Sequence, residues 1–270
     1  MSQPTSPLKI LMLHGYTQSG EIFHGKTRAL EKHLVKAFPG SKLVYPTGPL
    51  RLRPSDIPGF DAAKFQTNDD DDVESFAWWR RADDSDPVEY KGFDEGAATI
   101  ANVLATEGPF DGVIGFSQGA SAAAMVASLL EGPQRRKSFE DFHAGNPLCI
   151  PYPDSFTKLD HPPLKFCIPY SGFAAPGIRY QAFYNPPIAT PTCHFLGSLD
   201  TLVDEARGRT LVDGCGGEAK TQVLFHPGGH IVNCSRPFLN AAAEFIRNCV
   251  TEEKNETKEE ERAEDMDVPF

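Results

Sequence analysis

The chain has 270 residues, 40% of them hydrophobic, and a net charge of −11. That length suits one large α/β domain or two small ones, with apolar content enough for a core. The acidic balance argues against nucleic-acid binding, which wants a basic face, and no run of 18 apolar residues is present to span a membrane. The first seven residues are polar and lack the apolar stretch of a secretory signal. Cys149, Cys167, Cys193, Cys215, Cys234 and Cys249 form no Cys-x-x-Cys pair, so free thiols in a reducing compartment are expected, which points to the cytoplasm.

The first strand is Leu8–Leu13, apolar in the manner of a buried parallel strand. It runs into His14-Gly15-Tyr16-Thr17-Gln18-Ser19-Gly20. A helix follows from about Ile22 to Ala37, with Leu30, Leu34 and Ala37 at helical spacing, and Pro39-Gly40 stops it before a strand at Lys42–Tyr45. Residues 46–90 fit no regular period and read as a long excursion. It holds four aspartates, Asp69 to Asp72, which lack EF-hand spacing and glycine and read as a solvated loop tip. Trp78 and Trp79 either line a substrate pocket or anchor the excursion to the core.

A helix from about Gly92 to Thr106 leads to a short apolar strand, Gly112–Phe116, and a small-residue helix from Gln118 to about Leu130. Residues 132–163 read as a second irregular excursion. Strands follow at Leu164–Tyr170 and Pro191–Leu196, the latter ending in Gly197-Ser198-Leu199-Asp200. A helix from about Leu202 to Cys215 precedes the strand Thr221–Phe225, which ends in His226-Pro227-Gly228-Gly229-His230, and the last helix runs from about Arg236 to Cys249. Residues 251–270 hold nine acidic and three basic side chains and little apolar surface, so a disordered acidic tail is expected after a single domain spanning 1–250. Regular alternation of strand and helix implies a mostly parallel, doubly wound sheet with helices on both faces.

Sites in such sheets form beyond the carboxyl ends of the strands, and the chemistry-bearing residues sit there. Gly115-Phe116-Ser117-Gln118-Gly119 is a Gly-x-Ser-x-Gly pattern between a strand and a helix. A sharp turn there lifts the Ser117 hydroxyl above the sheet edge, with glycine where side chains would clash. Such a serine needs a base. Among eight histidines, His230 is favoured over His226 because two glycines let its loop turn back toward the sheet. The carboxylate that orients the base is expected after the serine and before the histidine. Asp200 suits, and Asp204 is its rival. Two N–H donors for an oxyanion are assigned to Gln118, directly after the nucleophile, and to Tyr16, with Thr17 the alternative. No metal or organic cofactor is called for.

These motifs, together with the Leu13–Gly20 run and the Trp78-Trp79 region, resemble the fungal "family of serine hydrolases" over about residues 8–249, and Gly-Phe-Ser-Gln-Gly is also similar to acyl-protein thioesterases and carboxylesterases. The resemblance implies an α/β-hydrolase fold and an esterase or thioesterase, with Ser117, Asp200 and His230 matching the triad and His14 structural. It further implies a small acyl ester or thioester substrate, with an acyl carrier protein as a partner in the thioesterase case; a catalytically inactive binding module is the remaining alternative. No basic cluster adjoins the site in sequence. An apolar acyl group is therefore expected, held by some of Phe60, Phe65, Phe76, Trp78, Trp79, Phe139, Phe142, Tyr152 and Phe156.

Overall fold

The computed structural model describes residues 7–53, 56, 74–82, 84–216 and 221–266. Its strands in chain order are β1 (Lys9–Leu13), β2 (Lys42–Val44), β3 (Leu50–Arg51), β4 (Phe76–Ala77), β5 (Arg80–Ala82), β6 (Glu89–Lys91), β7 (Gly112–Phe116), β8 (Phe166–Tyr170), β9 (Thr192–Gly197) and β10 (Thr221–His226). Its α-helices are α1 (Gly20–Ala37), α2 (Phe93–Glu107), α3 (Gln118–Leu129), α4 (Pro133–Gly145), α5 (Glu205–Asp213) and α6 (Arg236–Met266).

Six strands pair in parallel in the order β10-β9-β8-β7-β1-β2. Strands β7, β8 and β9 are buried along their whole length, which explains their continuous apolar sequence: both sheet faces are covered. On one face α1 and α6 pack Phe23, Leu30, Phe245 and Ile246 against Ile10, Ile114 and Ile168. On the other, α2 and α3 pack Ile100, Leu104 and Met125 against Leu11 and Val113. The chain steps outward from β1 to β2, then returns to build β7 through β10 on the other side of β1. The strand order therefore reverses between β1 and β7, and a crevice opens beyond their carboxyl ends.

Two expectations require correction. The segment from 132 is not irregular at its start: Pro133 opens α4 after Gly132 (φ 85°), and the pairs Arg136–Glu140 and Lys137–Asp141 lie one turn apart along it. Arg135 anchors this helix from within the protein, pairing with Glu131 at 2.8 Å and donating to the carbonyls of Ala182 and Pro187. The last helix also passes its expected end near Cys249. Residues 251–266, expected to be disordered, continue as helical backbone, because a stretch rich in Glu and Lys and free of Gly and Pro sustains a helix readily. Among the described residues no helix is long and apolar enough to cross a membrane, and all six cysteines are free.

His194 lies inside β9, buried, with a single 3.2 Å contact from Nε2 to the Thr192 hydroxyl. Burial lowers its pKa from 6.5 to about 4. The folded state thus holds the ring neutral, while the unfolded chain takes up a proton as pH falls through 6.5. The stability from this group is complete above pH 6.5 and is lost progressively down to about pH 4. Denaturant unfolding at pH 7 and pH 5 should differ by about 2 kcal/mol on account of this histidine. A His194→Leu variant should show a correspondingly smaller difference; an unchanged pH slope would show that His194 does not carry it.

Candidate active site

The turn after β7 starts the construction. Ser117 has φ 54° and ψ −117°, a conformation an L-residue adopts only where its surroundings enforce it. Enforcement comes from close backbone packing. A Cβ on Gly119 would stand 2.1 Å from the Leu13 carbonyl oxygen, and one on Gly115 would stand 2.1 Å from the Gly119 carbonyl oxygen. The Ser117 N–H donates to the Tyr170 carbonyl at 2.9 Å, tying the turn to β8.

His230 completes a line of contacts. Its Nε2 lies 2.9 Å from Ser117 Oγ and its Nδ1 lies 2.7 Å from Asp200 Oδ2. A carboxylate only accepts, so Nδ1 carries the proton and Nε2 is left to accept from the serine. The ring rests on Phe116, with 4.8 Å between ring centroids. Asp200 is buried, and its Oδ1 accepts the N–H groups of Leu202 and Val203 at 3.0 and 2.9 Å. Burial pushes its carboxyl pKa up, but the Val203 N–H, the His230 hydrogen bond and the Ser171 hydroxyl outweigh that and hold it below the ordinary value. Ser171 (φ 49°) is a residue the sequence reading passed over. Its buried hydroxyl has no partner at full hydrogen-bond geometry, yet it lies close enough to Asp200 to act on the carboxylate.

The rival residues are engaged elsewhere. Asp204 caps α5, accepting the Arg207 N–H at 2.8 Å. His226 is buried against Phe238, its Nδ1 accepting the Gly228 N–H at 3.2 Å. Burial lowers its pKa, with the Asp200 charge opposing. The Thr17 N–H donates to the Phe76 carbonyl at 3.0 Å. By contrast, the Tyr16 N–H has no hydrogen-bond partner among the described residues, and Gln118, first in α3, has no acceptor within the helix. Both stand where the loop after β1 meets the turn after β7. The Tyr16 phenol is tethered to the Asp56 carbonyl at 2.9 Å, and Arg80 pairs with the Asp56 carboxylate at 3.2 Å.

The Gln118 side chain does more than its position in the motif suggests. Its Oε1 accepts the Trp78 N–H at 2.9 Å and its Nε2 donates to the Trp79 carbonyl at 2.8 Å. Trp78 in turn donates from Nε1 to the His14 carbonyl at 2.9 Å. His14 donates from Nδ1 to the Gly15 carbonyl and accepts the Gly48 N–H on Nε2, so it is structural and neutral; burial lowers its pKa to about 4. Trp78 is wholly buried with its indole N–H turned inward to the His14 carbonyl, so of its two readings it takes the anchoring one. Trp79, 3% exposed, stacks on Tyr90 and lines an apolar seam with Phe93, Ile100 and Phe156 that is too tight for an acyl chain.

Of the aromatics expected to form a trough, Phe76 is half-buried in β4 beside the loop after β1, and others turn into the core. Phe139 and Phe156 are buried in the core, and Phe142 and Tyr152 pack against it, because α4 turns its aromatic side inward. Phe60, Phe65 and Asp69 to Asp72 lie outside the described residues. The loops that carry Asp200 and His230 present aliphatic side chains instead: Leu199 is 70% exposed, Leu202 66% and Ile231 49%. Among the described residues no cluster of His, Cys, Asp or Glu is arranged to hold a metal.

The family model described as "Serine hydrolase (FSH1)" matches residues 1–242. Family of serine hydrolases 2 of Saccharomyces cerevisiae is 33% identical over 88% of this chain and 97% of its own length. A protein named dihydrofolate reductase in Schizosaccharomyces pombe is 33% identical over 92% of this chain and 49% of its own; the chain spans about half the length of that relative. Among solved structures, Zea mays acyl-protein thioesterase 2 superposes with a TM-score of 0.56 at 22% identity, over 92% of this chain and 96% of the other, which establishes the α/β-hydrolase fold.

Gln118→Ala tests the clamp while leaving the backbone N–H in place. It leaves the Trp78 N–H and the Trp79 carbonyl buried without partners, at about 1–3 kcal/mol each. Chemical denaturation should register a loss of about 3 kcal/mol; a variant as stable as the parent would show the Trp78-Trp79 segment held by other contacts.

Proposed function

The chain belongs to the FSH1 serine hydrolase family, and from that premise we propose that it hydrolyses carboxylic esters through a Ser117–His230–Asp200 triad and an acyl-enzyme. The observation that carries the reading is the hydrogen-bonded line from Ser117 Oγ through His230 to Asp200, with the free N–H groups of Tyr16 and Gln118 beside it.

In the first half-reaction Ser117 Oγ attacks the acyl carbonyl carbon as its proton passes to His230 Nε2. The carbonyl oxygen becomes an oxyanion between the N–H groups of Tyr16 and Gln118. The imidazolium is stabilised by Asp200, whose carboxylate stays ionised. Collapse breaks the bond to the leaving group, which takes the proton from His230. In the second half-reaction His230 draws a proton from water, the hydroxide attacks the acyl carbon, and Ser117 leaves with that proton. The machinery serves thioesters equally, since the thiolate leaves in the same step. The exposed Leu199, Leu202 and Ile231 form an apolar rim for an acyl chain, with each buried methylene adding about 0.8 kcal/mol. A location in the cytoplasm is part of the same proposal, in keeping with six free cysteines.

Ser117→Ala should abolish labelling by a fluorophosphonate probe; uptake of label by the variant would move the nucleophile elsewhere. Asp200→Asn should lower kcat on the order of 10⁴-fold. Asp204→Asn keeps an oxygen that can cap α5 and should leave both stability and kcat far less changed. The reverse ranking would transfer the orienting role to Asp204.

A further inference from the structure

His226 is a buried polar side chain that the triad does not use, and its ring is only half satisfied. Nδ1 accepts the Gly228 N–H at 3.2 Å, so in the neutral ring the proton sits on Nε2. That nitrogen is buried and has no hydrogen-bond partner among the described residues. Its ring lies edge-on to Phe238, with 5.7 Å between centroids. An apolar side chain here would bury no orphan donor, so a histidine is unfavourable at this place unless its other nitrogen is needed.

What Nδ1 holds is the loop that carries His230. Strand β10 ends at His226, whose carbonyl accepts the Ser198 N–H at 2.9 Å, and the Gly228 carbonyl accepts the Leu199 N–H at 3.1 Å. These two bonds join the loop after β10 to the loop after β9, just short of Asp200. Gly228 is therefore held twice, by its N–H on the His226 ring and by its carbonyl on Leu199. The two loops also touch closely. A Cβ on Gly197 would stand 2.5 Å from the Gly229 carbonyl oxygen, 2.7 Å from that of Gly228 and 3.1 Å from Cε1 of the His226 ring. Two residues beyond Gly228 comes His230, within 2.7 Å of Asp200 Oδ2 and 2.9 Å of Ser117 Oγ. Consecutive glycines give a loop wide conformational freedom, so its path needs fixed points from elsewhere, and the His226 ring supplies one.

We infer that His226 is a positioning residue whose neutral ring holds the Gly228 N–H and so sets the turn that aims His230 at Ser117 and Asp200. The inference rests on the triad reading and adds to it a second histidine on which the triad depends. It also makes the site answer to a second proton. A protonated ring carries N–H on both nitrogens, so Nδ1 turns from acceptor to donor and the Gly228 N–H is released. Burial opposes that protonation, and the Asp200 carboxylate, on the loop after β9, favours it. Strand β9 brings Gly197 against the ring and α6 brings Phe238, neither of which titrates, and His230 shares the loop.

Hydrolysis of p-nitrophenyl butyrate by the full chain and three variants tests the role. His226→Phe keeps a ring but offers no acceptor. At pH 8 its kcat should fall about 10- to 100-fold with KM within about twofold, as a misaimed base predicts and lost substrate binding does not. His226→Asn places an oxygen near the site of Nδ1 and cannot be protonated, so it should recover most of the lost kcat. On the acid side the wild-type plot of log kcat/KM against pH should steepen from a slope of about one toward two as the second histidine titrates, and that of His226→Asn should stay near one. Wild-type kcat in His226→Phe, or His226→Asn as slow as His226→Phe, overturns the positioning role. If circular dichroism shows His226→Phe unfolded, the profile of His226→Asn decides: high kcat with a single-proton acid limb supports the role, and the same limb in variant and wild type overturns it. His230→Ala separates the two readings. Loss of turnover in it leaves the triad standing whatever the His226 variants do, and retained turnover overturns the triad itself.

Discussion

Gly119 sits so close to the end of β1 that a methyl group on it would stand 2.1 Å from the Leu13 carbonyl oxygen and 2.4 Å from that of His14. That approach requires a residue with no side chain, and the rest of the site depends on it. It draws the turn after β7 against the loop after β1, at the point where the sheet's strand order reverses. The N–H groups of Tyr16 and Gln118 belong to different elements separated by about a hundred residues of chain. This contact brings the two elements together, as the proposed oxyanion site requires.

Three residues then fix what the contact has placed. Gln118 holds the backbone of Trp78 and Trp79, Trp78 holds the His14 carbonyl, and His14 holds the backbone at Gly48. The first excursion is fastened to the turn after β7 through buried polar groups rather than through apolar contact alone. Each partner is desolvated, so each bond is costly to leave unmade, and the arrangement has one favoured geometry. Apolar packing alone would tolerate small shifts of the loop. Buried hydrogen bonds, which weaken steeply with misalignment, do not.

Much of this was legible in sequence because it rests on strict backbone requirements. Gly115 and Gly119 flank the serine for steric reasons, the continuous apolar runs of β7 and β8 follow from burial on both faces, and Asp200 and His230 fall just beyond strand ends. What sequence could not reveal depends on side-chain direction. Trp78 read as either pocket lining or anchor and Phe139 as pocket lining, yet both point inward once Gln118 and α4 are in place. The helix from Pro133 was masked by its proline, glycine and charge content, although proline at a first helical position is favourable.

Strain is concentrated around the candidate site. Among the described residues the non-glycine residues with positive φ are Thr17, Ser117 and Ser171, at 67°, 54° and 49°. They follow β1, β7 and β8, three adjacent strands, at their carboxyl ends. One lies beside the free N–H of Tyr16, one carries the hydroxyl that His230 contacts, and one faces Asp200. Conformations of this kind cost of order 1–3 kcal/mol each and persist only where surrounding structure over-determines them. Here the over-determination is the parallel sheet for Ser117 and Ser171, and the separate strand β4 for Thr17. The Ser117 N–H is bonded to the Tyr170 carbonyl, the Ser171 N–H to the Phe195 carbonyl and the Thr17 N–H to the Phe76 carbonyl. Each strained residue thus prolongs or borders a ladder that would lose a hydrogen bond if it relaxed. The buried parallel sheet sustains the strain, and the strain turns the chain away from the sheet, so that the hydroxyl, the carboxylate's neighbour and a free N–H converge on one crevice.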